Sequence, residues 1–365
     1  MPVRALARVR PAAIEANAAL LRSRLGSDTA LCAVVKADGY GHGAATAARA
    51  ALDGGASWLA VASAGEAAAL RAEGVVAPLL VMGALSTQEA GTALDADADV
   101  VVWNRAFLES IGHRGPRVHV KFDSGMGRLG TSDLEEARSL IQAIDLDERA
   151  SLAGVMTHFA TADELGDAHF PLQLERFTAL AEQVRSDYPG AIAHAANSAA
   201  TLRDPASHFD MVRCGVALYG LDPFQHDAGA HGLQPALQLE SYVASVKRFE
   251  PGDSAGYGRR WIADRQTWVA TLPIGYADGW RRALTNNCDV LIGGRRNPLV
   301  GTVSMDNVTV DLGPDTAVTV GEPAVLIGVQ GPEAITAEEV AARLDTINYE
   351  VTCGIGPRVP RQVGP

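Results

Sequence analysis

Leu31-Cys32-Ala33-Val34-Val35-Lys36-Ala37-Asp38-Gly39-Tyr40-Gly41-His42-Gly43 runs from five apolar residues directly into a lysine and a glycine-rich turn. An unbroken apolar run of this length, bounded by a turn signal, reads as a strand buried on both faces, as in a parallel sheet. The turn lacks the G-x-G-x-x-G spacing that opens a doubly wound dinucleotide-binding sheet. Lys36 carries further information. The chain has only three lysines (Lys36, Lys121 and Lys247) among 31 Lys plus Arg. Arginine takes nearly every other cationic position, yet it cannot condense with an aldehyde as a primary amine does. A lysine at a strand end also reads as a solvated, snorkelling side chain, so position alone leaves both readings open.

Working outward, seven more short apolar runs follow: Trp58–Ala62, Pro78–Met82, Asp99–Trp103, Val118–Phe122, Leu152–Thr157, Ile192–Ala196 and Asp210–Cys214. Ala-rich segments of helical periodicity separate them, as at Ala44–Leu52, Gly65–Glu73 and Asp133–Ile144. Pro11 opens an earlier helix. Eight strand–helix units predict an α/β fold whose N-terminal part is a (β/α)8 TIM-type barrel. Beyond about Leu233 the pattern changes to alternating runs at Tyr242–Val246, Thr267–Leu272, Val290–Ile292, Leu299–Val303, Val308–Leu312 and Ala324–Ile327. One helix is expected at Thr336–Leu344, where Thr336 and Glu339 have capping-box spacing. The expected domains are a barrel over residues 1–232 and a C-terminal mostly-β domain over 233–365.

A net charge of −12 argues against nucleic acid or an anionic membrane as partner. No apolar run reaches the ~18 residues of a membrane span, and the N-terminus lacks the apolar core of a signal peptide. The four cysteines, Cys32, Cys214, Cys288 and Cys353, have neither C-x-x-C nor zinc spacing, so no metal is expected. Reduced thiols in a cytoplasmic protein are the default.

In a barrel of this kind chemistry gathers at the C-terminal ends of the strands. Lys36 follows the first strand, Arg128 the fifth, His158 the sixth, Asn197 and Ser198 the seventh, and Arg213 and Gly215 mark the eighth. Each alone reads as a solvated loop residue, a cap or an ion pair; together they converge on one rim. Loops after strands 7 and 8 often hold phosphate. Here they offer the Ser198 hydroxyl and the N–H groups of Gly215 and Val216, with Tyr40 from the first loop. A lysine beside a phosphate cup suits pyridoxal 5′-phosphate, which carries both an aldehyde and a phosphate.

The segments Ala33–Gly43, Gly125–Gly130, Thr157–Asp163, Ala196–Ala199, Arg213–Gly220, Ala255–Gly258, Pro273–Gly279 and Val303–Asp306 make the chain resemble alanine racemases, the fold-type III pyridoxal-phosphate enzymes, over essentially its whole length. The resemblance implies that Lys36 holds the cofactor and serves as the base on one face of the substrate. Tyr257 would be the base on the other, since racemisation needs a proton removed from one side and returned from the opposite one. It further implies that His158 contacts the tyrosine and Arg213 faces the cofactor ring nitrogen. Arg128 would contact the cofactor and the substrate carboxylate, Met305 would border the substrate through its backbone amide, and Tyr276 would narrow the entrance. Lys121 would be either carbamylated, holding Arg128, or paired with a carboxylate. In the family the tyrosine reaches the lysine of the other chain, so a homodimer with shared active sites is implied, supplying D-alanine as a peptidoglycan precursor.

One departure concerns Pro357, which stands where several family members carry a tyrosine that touches the cofactor phosphate. Proline has no hydroxyl, which widens the expectation from alanine alone to a broader small amino-acid racemase. A same-barrel decarboxylase for basic amino acids would need a glycine-rich phosphate loop and a catalytic cysteine in the second domain, and neither is found. A non-catalytic cofactor carrier would not need the β domain that contains Tyr257.

Overall fold

The computed structural model describes residues 3–147 and 149–364. The chain divides into two compact units. One is Ile14–Phe224; the other joins the residues before Ile14 to those from Gln225 onward. The expected division placed everything before residue 233 in the barrel. The structure differs at the N-terminus, because the strand β1 (Ala5–Val9) pairs antiparallel with Leu237–Tyr242 in the second unit. Its alternating buried and half-buried residues suit a sheet covered on one face, unlike the continuously apolar barrel strands.

Eight parallel strands close the first unit into a barrel. They are β2 (Ala30–Val34), β3 (Trp58–Val61), β4 (Leu79–Val81), β5 (Asp99–Val102), β6 (Arg117–Lys121), β7 (Ser151–Met156), β8 (Ile192–His194) and β9 (Met211–Cys214). All eight expected strands are present, with ends shifted by no more than two residues. The ring closes where β9 pairs with β2, setting Arg213 beside Cys32 and Cys214 beside Ala33. Between strands, helices begin at side-chain caps. Ser63 with Glu66 and Ser86 with Glu89 form capping boxes; Asn104, Asp133 and Asn197 cap three more. Each such cap is worth about 1 kcal/mol. Because every helix follows a strand, these caps all lie at the C-terminal rim, so the elements that end the strands also stiffen the rim.

The second unit is mostly β. Its strands are β10 (Leu237–Tyr242), β11 (Ser245–Phe249), β12 (Ser254–Ala255), β13 (Trp261–Ile262), β14 (Thr267–Leu272), β15 (Asp289–Ile292), β16 (Arg295–Val300), β17 (Val308–Gly313), β18 (Pro323–Gln330), β19 (Glu333–Ile335) and β20 (Arg361–Val363). The main sheet runs β11-β14-β17-β16-β15-β18-β10-β1-β20, with β19 on β18, and β12 pairs with β13 in a small ribbon. The single strand expected at Tyr242–Val246 is broken into β10 and β11. Val243 N–H donates to Glu322 O and Ala244 N–H to Thr271 O, so the chain changes partner strands within two residues. Thr336 caps the helix Ala337–Leu344 as expected, but the Glu339 carboxylate binds Arg296 (2.7 and 2.8 Å) and Arg343 instead of completing the box.

Gly154 in β7 shows how tightly the barrel wall is closed. A Cβ there would lie 2.3 Å from the Ile192 carbonyl oxygen on the neighbouring strand. Gly154→Ala should therefore force the wall apart and cost roughly 1–3 kcal/mol, read as a lowered midpoint in thermal or urea denaturation.

Candidate active site

The chain leaves β2 by an unusual route. Ala37, Asp38, Gly39 and Tyr40 all have φ between 52 and 63°, a left-handed turn beginning immediately after Lys36. Each non-glycine residue in this region costs roughly 1–2 kcal/mol, so the turn persists only because its surroundings over-determine it. The Glu66 carboxylate accepts the Ala37 N–H at 2.6 Å, together with the N–H groups of Ala62 and Ser63 at 2.8 and 3.1 Å. Asp38 accepts the Ala44 N–H at 2.9 Å, and Gly43 N–H donates to the Asp38 carbonyl at 2.8 Å. The base of the Lys36 side chain is thereby fixed at the rim.

The same turn delivers Tyr40 into the barrel mouth, with its ring centroid 5.0 Å from that of Tyr219. Its hydroxyl meets Gly215 so closely that a Cβ on residue 215 would lie 2.3 Å from it. Ser198 Oγ accepts the N–H of Gly215 at 3.0 Å and of Ala217 at 3.3 Å. Val216 lies between them and starts the turn Val216–Tyr219. Two hydroxyls and the backbone around Gly215 thus converge at the ends of β8 and β9, a cup of donors for an anion.

Arg213 in β9 is 3% exposed. Its NH1 donates to His194 Nδ1 at 3.0 Å; its NH2 reaches Thr157 O at 2.8 Å, Ala195 O at 3.0 Å and His158 Nδ1 at 3.2 Å. Burial lowers its pKa to about 10, which still leaves it charged at neutral pH. Burial also holds the His158 imidazole well below the usual range, reinforced by the charges of Arg213, Lys121, Arg128 and Lys36. His158 is therefore neutral. Since Arg213 donates to its Nδ1, its hydrogen resides on Nε2.

Lys121, at the end of β6, is buried, and burial brings its pKa down to about 8, helped by Arg213 and Arg128 and opposed by Asp123. Arg128 is exposed in the loop that follows. Asp123 holds that loop by accepting the backbone N–H groups of Gly125, Met126, Gly127 and Arg128 at 3.0, 2.6, 2.8 and 3.2 Å. The structure therefore gathers Lys36, Tyr40, Lys121, Arg128, His158, Ser198, Arg213, Gly215 and Val216 at the C-terminal end of the barrel.

Tyr257, Tyr276 and Met305 lie in the other unit. Tyr257 is 74% exposed; its carbonyl accepts the Thr302 hydroxyl at 2.7 Å. Tyr276 and Met305 are joined through their backbones, with Tyr276 N–H donating to Ser304 O and Ala277 N–H to Met305 O, both at 3.0 Å. Asp278, whose side chain is fully buried, holds this turn. It takes both Arg4 guanidinium nitrogens (2.6 and 2.9 Å) and the Gly275 N–H (2.9 Å).

Residues 9–223 match the family model for the alanine racemase N-terminal domain, and residues 236–363 that for the alanine racemase C-terminal domain. The alanine racemase of Symbiobacterium thermophilum is 45% identical over 359 residues, covering 96% of this chain and 95% of that protein. The alanine racemase of Geobacillus stearothermophilus is 43% identical over 360 residues, covering 96% and 90%. The crystal structure of alanine racemase from E. faecalis is similar with a TM-score of 0.93 at 37% identity, covering 99% of this chain and 98% of that one.

Motif reading passed over the residues that hold these groups in place: Glu66, Asp123, His194 and Asp278. Only Glu66 carried a local signal, the Ser63-x-x-Glu66 capping spacing, and that signal speaks of a helix start, not of the turn after Lys36. Glu66→Ala removes the partner of three backbone N–H groups at once. It should cost roughly 2 kcal/mol, measurable as a fall in the denaturation midpoint, whereas Glu66→Gln, which keeps an acceptor, should recover part of the loss.

Proposed function

The chain belongs to the alanine racemase family and interconverts L- and D-alanine; on that premise we propose that Lys36 of one subunit and Tyr257 of the other are its two proton carriers, acting with pyridoxal 5′-phosphate. The observation that carries this reading is the fixed Lys36, rising from a strained left-handed turn beside the donor cup of Tyr40, Ser198 and Gly215. The cup fits a phosphate group, since residue 215 has no Cβ to crowd the Tyr40 hydroxyl. When bound, the cofactor supplies an electron sink that acidifies the substrate α-carbon.

The chain's own residues do the rest. Lys36 would hold the cofactor through its amine and, as a free amine, would remove or return the α-proton on one face. The partner subunit's Tyr257 does so on the other face. Neutral His158, with its Nε2–H free of the Arg213 contact, orients the phenol. Arg213 keeps its proton and would present fixed positive charge to the cofactor when bound. Arg128 and the Met305 amide orient the substrate carboxylate, and Tyr276 narrows the entrance. A tyrosine as exposed as Tyr257, beside the half-exposed Tyr276 and Met305, is what a face covered by a second copy of the chain presents. No helix of the described residues is long and apolar enough to cross a membrane. We place the enzyme in the cytoplasm, where it supplies D-alanine for peptidoglycan.

For Lys121 the carbamate is favoured over the plain ion pair. Among the described residues no carboxylate lies within ion-pairing distance of its amine, and a pKa near 8 leaves part of that amine unprotonated at neutral pH. The neutral amine adds carbon dioxide, losing one proton to solvent, and the resulting anion would pair with Arg128. Breadth of specificity turns on Pro357, an exposed residue without a hydroxyl. We take alanine as the main substrate, and a side-by-side assay on L-alanine, L-serine and larger amino acids decides how narrow it is.

Lys36→Ala and Tyr257→Phe should each lower racemisation by about 10²–10⁴-fold, followed as formation of the opposite enantiomer from L- or D-alanine. Coexpressing the two variants should restore roughly a quarter of wild-type activity, because mixed dimers carry one intact site of two; no recovery would sink the shared site. With labelled bicarbonate, a carbamate carbon signal should appear, strengthen as pH rises through about 8, and vanish in Lys121→Met.

A further inference from the structure

Behind Arg213, on the side away from the rim, the barrel wall holds a row of buried polar side chains. His194 accepts from Arg213 through Nδ1 at 3.0 Å, and its Nε2 lies 2.9 Å from His119 Nδ1. His119 Nε2 lies 3.1 Å from one oxygen of Asp99, whose other oxygen accepts Arg117 Nε at 2.6 Å. Asp99, His119, His194 and Arg213 come from β5, β6, β8 and β9 and are 2%, 0%, 0% and 3% exposed.

The direction of every hydrogen bond in the row follows from its ends. A guanidinium only donates, so His194 Nδ1 must accept, and its hydrogen sits on Nε2. That hydrogen can only be given to His119 Nδ1, which places the second ring's hydrogen on Nε2, aimed at the Asp99 carboxylate. Each neutral imidazole has one donor and one acceptor nitrogen, so the carboxylate at one end and the guanidinium at the other define both tautomers. Burial and the Arg213 charge hold the His194 imidazole well below its usual range, in keeping with a neutral ring.

The wall is shaped to admit this row. The pairing of β6 with β7 shifts register between Val118 and His119, a bulge of the kind that re-aims a side chain. Opposite His119 stands Gly154, where a Cβ would lie 2.8 Å from His119 Nδ1. The surrounding strands are Val, Leu and Ala, and an apolar filling would have avoided the desolvation of two imidazoles and a carboxylate.

We infer that Asp99 and His119 are positioning residues for Arg213: together they lock His194 as an acceptor and so set the orientation of the guanidinium at the rim. The activity consequence rests on the reading of Arg213 as a cofactor partner; the tautomers do not.

The test therefore has two arms. In histidine-¹⁵N-labelled holoenzyme at neutral pH, both His119 and His194 should be neutral with hydrogen on Nε2. A doubly protonated ring, or hydrogen on Nδ1 of either, overturns the proposal. In the second arm, Asp99→Leu should lower kcat about ten- to a hundredfold, leave KM for alanine nearly unchanged and shift the cofactor absorption band. Asp99→Asn, which keeps an acceptor for His119, should recover most of that loss. A lowered melting temperature with kcat and spectrum intact in Asp99→Leu would show a purely structural row, and an equal loss in Asp99→Asn would also overturn positioning by the acceptor. Should Asp99→Leu not fold, the ¹⁵N pattern and the asparagine variant decide. If the tautomers are as expected but Arg213→Lys leaves kcat and spectrum untouched, it is the cofactor role of Arg213 that fails, not the row.

Discussion

A guanidinium enclosed by a parallel barrel must be met by acceptors on every side, because an unpaired buried charge costs several kcal/mol. Arg213 meets this demand with two backbone carbonyls and two imidazoles contributed by neighbouring strand ends. Those partners cannot shift independently. Thr157 and His158 follow β7, His194 ends β8 and Ala195 follows it, so the charge ties the C-terminal ends of adjacent strands into one rigid patch. Its field then reinforces burial in holding His158 neutral and in weakening the proton affinity of Lys121.

The turn after Lys36 shows a second way of fixing a functional group. Its backbone sits in a region that L-residues avoid, and the cost is offset by carboxylates that also serve ordinary tasks. Glu66 completes a helix cap, and Asp38 closes its own loop. Strain next to Lys36 and capping of the helix at Ser63 are thus coupled: that helix cannot loosen at its start without releasing the turn.

The barrel was legible because its strands are short, apolar on both faces and separated by helical periodicity, and that pattern survives folding unchanged. The rim residues were legible for a topological reason, since strand ends in a closed barrel share one mouth. The sequence did not reveal that Ala37 and Asp38 are left-handed, because nothing in their side chains asks for it; the conformation is imposed by Glu66, twenty-nine positions away. Nor did it reveal β1. Ala5–Val9 is too short and too mildly alternating to announce its partner, and its position before the barrel suggested the wrong unit. Asp99, His119 and His194 were hidden for a similar reason, each lying in a separate strand where a single polar residue looks incidental.

The first strand has one more implication. β1 lies between β10 and β20, so residues made before the barrel pair with strands made after it. Two folding histories are interleaved on one ribbon: the barrel can close while the chain is still emerging, whereas β1 stays unmatched until β10 has been made. Cutting the polypeptide at the linker would leave β1 on the barrel fragment and its partner strands β10 and β20 on the other, so the second unit is not separable as an inheritable module.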